Sequence, residues 1–278
     1  MSLHIPAAFW SSFTDDNRDL TLTSCRFQFH PVVMTGSLAR RISHTSPRSA
    51  LWDKMGLLAT LLIFGVSLSL ASAERPMRRS LVFPMETDNS YVELVPQKNL
   101  DMEAFTLCMR VATELAKGKR EIILFAYRTL YHDELNVWRE ADGKYSLYLS
   151  GDGVLFHLPE LNTFQTHLCL TWDSKSGMAA FHADGKRSVR KEYKPGHKVQ
   201  KGGKVILGQD PDSFLKDFES KQSFIGEITD VNMWDYVLSD AMIEALHVGK
   251  RMPRGNIFDW ETIELIVNGN VKVITEEL

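Results

Sequence analysis

Cysteine is scarce, with three residues in 278, and that count alone leaves a cytosolic chain open. There is no basic excess: Lys plus Arg is 32 and Asp plus Glu 35, a formal net charge of -3. Nothing in the charge balance therefore points to nucleic acid or an anionic membrane as partner. No G-x-S-x-G elbow, H-E-x-x-H helix or C-x-x-C pair occurs, which leaves hydrolase and zinc readings without a motif. Helical periodicity is rare, internal repeats are absent, and no N-x-S/T acceptor follows Ala73, so N-glycosylation is not expected there. The chain does have 44% hydrophobic residues, ample for a packed core, and enough length for one large or two modest domains.

An uncharged, mostly apolar run from Gly56 to Leu70 leads into Ala71-Ser72-Ala73 before Glu74, the small-x-small form of a cleavage site. This reads as a secretory signal peptide over 55–73, which implies secretion; a buried core helix is the blander alternative. The run is short for a bilayer span, which takes about twenty apolar residues. Residues 1–54 show no sustained helical or strand period, so disorder is expected there, with Met55 as the physiological start. A cytoplasmic tail on an uncut, membrane-anchored form is the alternative. Six of the 32 basic and four of the 35 acidic residues precede Glu74, so residues 74–278 carry a net charge of -5 and the length of one domain.

From Ser80 onward the pattern is of short strands and turns, as in Phe105–Arg110 and Tyr145–Ser150, which alternate between an apolar and a mixed face. Asp142-Gly143, Asp184-Gly185 and Asn268-Gly269 sit between strand-like stretches and predict type I′ hairpin turns. Many short strands with regular turns predict an all-β antiparallel sandwich or jelly roll. One short helix is expected, capped by Ser239, with Asp240 in its first turn and Gly249 and Pro253 as its stop. Met242, Ala245, Leu246 and Gly249 would share its packed face.

The segment Gln209 to Gln222 holds four carboxylates and two side-chain amides in fourteen residues. Such a density of oxygen donors suits calcium, although a solvated acidic loop is the alternative. It is not an EF-hand, because counting from Asp210 the sixth residue is Leu215 and the twelfth Lys221. Its flanks, Val205-Ile206-Leu207-Gly208-Gln209 before it and Ser223 to Ile228 with Asn232-Met233-Trp234-Asp235 after it, resemble the pentraxins. His167-Leu168-Cys169-Leu170-Thr171-Trp172-Asp173-Ser174 fits that family's His-x-Cys-x-Ser/Thr-Trp-x-Ser signature at every defined position. The resemblance covers about residues 80 to 278.

The resemblance implies a two-sheet, lectin-like jelly roll, a disulfide between Cys108 and Cys169, and a ring of protomers, commonly five. It also implies two calcium ions per chain. Asp210 and Asp212 would bridge them, Pro211 would offer its carbonyl, and Glu219 and Gln222 would complete the outer ion. Bridging acids have a physical reason, since two close divalent ions repel unless anionic oxygens lie between them. Members of that family typically have Glu where this chain has Asp210. A gapless match through Glu134, Leu135, Val137 and Trp138 puts His132 at a family Asp and Asp133 at a family Asn; a one-residue gap instead puts Asp133 and Glu134 there. Asp133 is a candidate ligand either way, and imidazole is a poor one, so a weakened site is expected.

Trp138 and Tyr148 match family pocket-wall positions, where a Trp would make a cation-π contact with a quaternary ammonium; plain core packing is the alternative. The helix would lie on the opposite face, where the family meets complement and receptors. The implied function is secreted, calcium-dependent recognition of phosphocholine, phosphoethanolamine or related anionic ligands in innate immunity, without enzymatic activity. Two rivals are a jelly-roll glycoside hydrolase using Asp212 with Glu227, and a laminin-G-like adhesion module.

Overall fold

The computed structural model describes residues 77–277. The segments read as leader and signal peptide, 1–54 and 55–73, lie outside these residues. Among the described residues no helix is long and apolar enough to cross a membrane. Two antiparallel sheets and a small hairpin are built from seventeen strands, numbered in chain order. An eight-stranded sheet contains β1 (Met77–Phe83), β3 (Ala104–Ala112), β8 (Thr166–Asp173), β9 (Met178–Ala183), β10 (Lys186–Arg187), β11 (Lys191–Glu192), β15 (Gly226–Trp234) and β17 (Lys272–Glu277). Its order is β10-β9-β8-β3-β15-β1-β17, with β11 also paired to β9. A seven-stranded sheet contains β2 (Tyr91–Val95), β4 (Ile122–Arg128), β5 (Asp133–Arg139), β6 (Tyr145–Leu149), β7 (Gly153–Phe156), β12 (Lys204–Leu207) and β16 (Glu264–Asn268), in the order β16-β2-β12-β4-β5-β6-β7. The hairpin pairs β13 (Pro211–Ser213) with β14 (Lys216–Phe218). This is the jelly-roll sandwich that the strand and turn pattern predicts.

Period-two alternation decides which residues form the core. Phe105, Leu107, Met109 and Val111 of β3 and Leu168, Leu170 and Trp172 of β8 are buried in one cluster with Leu135 and Val137 of β5, Leu147 and Leu149 of β6, and Val205 and Leu207 of β12. Trp172 is fully buried among them and donates its Nε1–H to the Tyr193 carbonyl at 2.9 Å, so its one polar atom is satisfied. Truncating a buried aromatic of this size to Ala costs about 3–5 kcal/mol.

The alternate positions belong to the other faces of the sheets. On the eight-stranded sheet Cys108 pairs with Cys169, which pairs with His182, and the two cysteines form the expected disulfide. Helix α1 (Asp240–His247) packs over it with Leu238 and Trp234. Ser239 caps α1 by accepting a hydrogen bond from the Met242 amide. The packed face differs from the predicted stripe: Ile243 is the buried residue, with Met242 and Leu246 beside it, while Gly249 is exposed beyond the helix end. The helix has only eight residues, so a stripe reaching Gly249 has no helix to run along.

Two of the three predicted hairpin turns take another form. Only Asp184-Gly185 has both residues at positive φ (48° and 77°), as a type I′ turn requires. At Asp142-Gly143 the glycine alone is positive, in a longer loop between β5 and β6. Asn268-Gly269 joins β16 to β17, which lie in different sheets, so it is a crossover and not a hairpin.

Candidate functional site

The acidic segment is closed at its base before its carboxylates are placed. Gly208, at φ +92°, ends β12 against the ring of Phe83, where a Cβ would overlap the ring. Its carbonyl accepts a hydrogen bond from the Phe224 amide at 3.0 Å, and Phe224 meets Phe83 edge-on with centroids 5.5 Å apart. Between these ends the β13–β14 hairpin lies against the seven-stranded sheet. Tyr91 and Phe218 stack at 4.8 Å, and Leu215 at the tip packs against a cluster of Ile123, Ala126, Trp138 and Ile206. Leu215 has φ +57°, a conformation costing a non-glycine residue roughly 1 kcal/mol, which this packing offsets.

Asp210 is 5% exposed. It accepts a hydrogen bond at 2.9 Å from Nδ2 of Asn136, whose Oδ1 in turn accepts from the Tyr127 amide. Burial pushes the Asp210 carboxyl up to about 7, and the charges of Asp133 and Asp212 push the same way. The Asp212 carboxyl is also raised, by desolvation and then by Glu219 and Asp133. Asp133 receives Arg128 Nη1 on its Oδ1 at 2.5 Å. The Gln222 Oε1 atom is buried without a hydrogen-bond partner among the described residues. Two carboxyls that burial, and then neighbouring charge, make harder to ionise, beside an orphaned amide oxygen, are a donor set that a hard divalent cation satisfies.

Asp133, Asp210 and Gln222 line one cavity of about 330 Å³ together with Asn136, Trp138 and Tyr148. Asp212 and Glu219 are exposed on the hairpin and at its end, and Pro211 is buried opposite Phe218 in the hairpin register. Both aromatics expected at a pocket wall are at the wall: Trp138 is 9% exposed, and Tyr148 leans over Gly153, where a Cβ would overlap its ring. The cavity also contains Glu140, whose Oε1 accepts from Tyr148 Oη at 3.3 Å and from the Ser146 hydroxyl. An anion between aromatic walls suits a cationic guest. Asn136, Arg128 and Glu140 escaped the sequence reading; β5 parity with Trp138 was the available signal for Asn136.

Other sequence candidates fall elsewhere. Glu134 is fully buried and engaged by Ser150 Oγ (2.5 Å), the Gln200 amide (2.8 Å), His132 Nε2 (2.8 Å) and His197 Nε2 (3.2 Å), so it does not face the cavity. His132 does line the cavity, with its Nε2 turned to Glu134. The hydrolase pairing of Asp212 with Glu227 is not formed: Glu227 is on β15 of the eight-stranded sheet, bonded to Gln165 Nε2 at 2.7 Å. Cys108, His167 and Cys169 also converge, but the two sulfurs are joined in the disulfide.

The model of the Pentaxin family matches residues 79–275. The chain belongs to the pentraxin family. This pentraxin is 55% identical over 199 residues to C-reactive protein of Danio rerio, covering 70% of this chain and 88% of that one. It is 39% identical to human C-reactive protein over 207 residues, covering 74% and 92%, and 36% identical over 220 residues to serum amyloid P-component of Cavia porcellus, covering 79% and 96%. Among solved structures, a heptameric SAP-like pentraxin from Limulus polyphemus matches with a TM-score of 0.62 at 21% identity, over 70% of this chain and 94% of that one, which supports the shared fold.

Proposed function

We propose that this pentraxin is a secreted, calcium-dependent recognition protein of innate immunity that binds phosphocholine, phosphoethanolamine or related headgroups without transforming them. The observation that carries the reading is the junction of two environments in one cavity: crowded oxygen donors at Asp133, Asp210 and Gln222, and an aromatic, anionic wall at Trp138, Tyr148 and Glu140. Asp133, Asp210, Asp212, Glu219, Gln222 and the Pro211 carbonyl would hold two calcium ions. Calcium when bound supplies a direct electrostatic seat for phosphate oxygens.

The rest follows from the chain's own residues. Asn136 holds the Asp210 carboxylate in place, Arg128 offers Asp133 a counter-charge, and Glu140 with Trp138 receives an ammonium. The cavity belongs to the seven-stranded sheet and α1 to the eight-stranded one, which leaves the α1 face open to complement or receptors while headgroup is held. A closed homo-oligomer, such as a pentamer, would multiply a weak single-site affinity through avidity. The test is retention of the full chain on phosphocholine and phosphoethanolamine resins with calcium, then chelator elution. Retention lost in Asp212→Ala supports the reading, and calcium-independent or absent retention of the wild type rejects it.

A further inference from the structure

The turn between β4 and β5 carries two large apolar side chains into solvent: Leu130 is 64% exposed and Tyr131 85%. Scattered exposed apolar residues are ordinary, but two in succession at a turn tip are less so. Nor is the turn loose. The Thr129 amide donates to the His132 carbonyl at 3.0 Å, and the Thr129 hydroxyl oxygen accepts from the amides of Tyr131 and His132, both at 3.3 Å. Among the described residues the Tyr131 ring stacks on no other ring and its hydroxyl forms no hydrogen bond. Both stems of the turn belong to the candidate site, since Arg128 precedes it, Asp133 follows it, and the two are paired. Tyr131 is therefore within about 7 Å of chain from Asp133.

Resting on the headgroup reading above, we propose that the Leu130-Tyr131 turn is a wedge that inserts into the interfacial layer of a phospholipid bilayer when the neighbouring site holds a lipid phosphate. The occupant is the zwitterionic surface of a phosphatidylcholine membrane, and two features favour this choice. First, the turn is continuous with the residues that would hold the headgroup, since His132 and Asp133 directly after Tyr131 line the cavity, so the apolar tip lies beside the phosphate seat. Second, the pair suits that depth: Leu has no polar group to desolvate, and Tyr places an apolar ring in the acyl boundary while its hydroxyl stays among headgroups. The net charge of -5 over residues 74–278 and the lack of a basic excess argue against simple attraction to an anionic membrane, so apolar contact must supply what charge does not. A soluble or polysaccharide-borne phosphocholine would gain nothing from the turn.

The test compares the full wild-type chain with a Leu130→Ser/Tyr131→Ser double variant in two assays, both with calcium. Soluble phosphocholine binding is measured by calorimetry, and sedimentation with phosphatidylcholine vesicles reads membrane affinity. Both substitutions lie at an exposed tip, and unchanged phosphocholine affinity doubles as the check on folding. The expected result is equal phosphocholine affinity and about a tenfold or greater loss of vesicle affinity. Relative to wild type, whose Trp138 already lines the cavity, a Tyr131→Trp variant should gain emission that brominated phosphatidylcholine quenches only with calcium present. Equal vesicle binding by wild type and double variant, or no calcium-dependent quenching of the Tyr131→Trp variant beyond that of wild type on bound vesicles, overturns the wedge and leaves the headgroup reading intact. Failure of the wild type to bind phosphocholine at all overturns the headgroup reading, and the wedge with it.

Discussion

Asn136, in the middle of β5, donates its Nδ2–H to Asp210 Oδ1 across 2.9 Å and so ties the seven-stranded sheet to an acidic loop 74 residues later. The bond favours the ionised form of a carboxyl that burial otherwise drives towards neutrality. Replacing Asn136 by Ala should lower calcium affinity about tenfold, because a hydrogen bond to a charged group contributes about 1.5–3 kcal/mol. Calorimetric titration against wild type checks this; equal affinity would mean the bond does not position the carboxylate.

Arg128 should act in the opposite direction. Its guanidinium sits on Asp133 and also lowers the proton affinity of Asp210, so it is a resident counter-charge that calcium must displace or tolerate. Arg128→Gln should destabilise the ion-free chain and tighten calcium binding by roughly three- to tenfold at pH 8, where Asp210 is ionised. Thermal melts with and without calcium measure both effects. Weaker calcium binding in the variant would show that Arg128 orients Asp133 as a ligand instead of competing for it.

Asp210 also predicts how the site answers to pH. Its folded carboxyl titrates near 7 against an ordinary 3.8, so its protonation stabilises the ion-free fold fully below 3.8 and that contribution is lost as pH rises through 7. Calcium needs the ionised form. Its affinity should therefore fall below pH 7, by up to about tenfold per unit for one displaced proton, with proton release visible in buffers of different ionisation enthalpy. An affinity flat between about pH 8 and pH 5.5 would contradict the assignment of Asp210 as a ligand.

How much of this could be read beforehand depended on the range of each signal. Ser239 as a cap, the strand alternation of β3 and β6 and the turn at Asp184-Gly185 are local, and each is where the sequence puts it. The Cys108–Cys169 disulfide was legible through the signature around Cys169. Asn136, Arg128 and Glu140 were not. Their roles come from partners brought in by folding, as with Asn136 and Asp210, or from which face of a strand is covered, and neither leaves a motif in the chain. Asn268-Gly269 failed for the same reason, since a turn dipeptide does not reveal that its two strands belong to different sheets.

Away from the cavity, His167 makes a separate prediction. It is buried beside the disulfide, and burial, followed by the charges of Arg110, His247 and His182, lowers its pKa to about 3. The unfolded chain accepts that proton near 6.5, so the fold keeps its full stability above 6.5 and loses it as pH falls towards 3. Between about pH 7 and pH 5 the loss from this residue is about 2 kcal/mol. Urea denaturation of wild type and His167→Gln at the two values tests it, with a smaller drop expected in the variant. Identical drops would place the acid sensitivity elsewhere.

The most direct measurement is the number of calcium ions held per chain, by equilibrium dialysis at about pH 8 on the wild type and on Asp210→Asn/Asp212→Asn. Two ions per wild-type chain, with both lost or greatly weakened in the double variant, is the predicted result. A wild type that holds no calcium, or a double variant that holds as much as the wild type, would contradict the assignment of this acidic loop as the metal site.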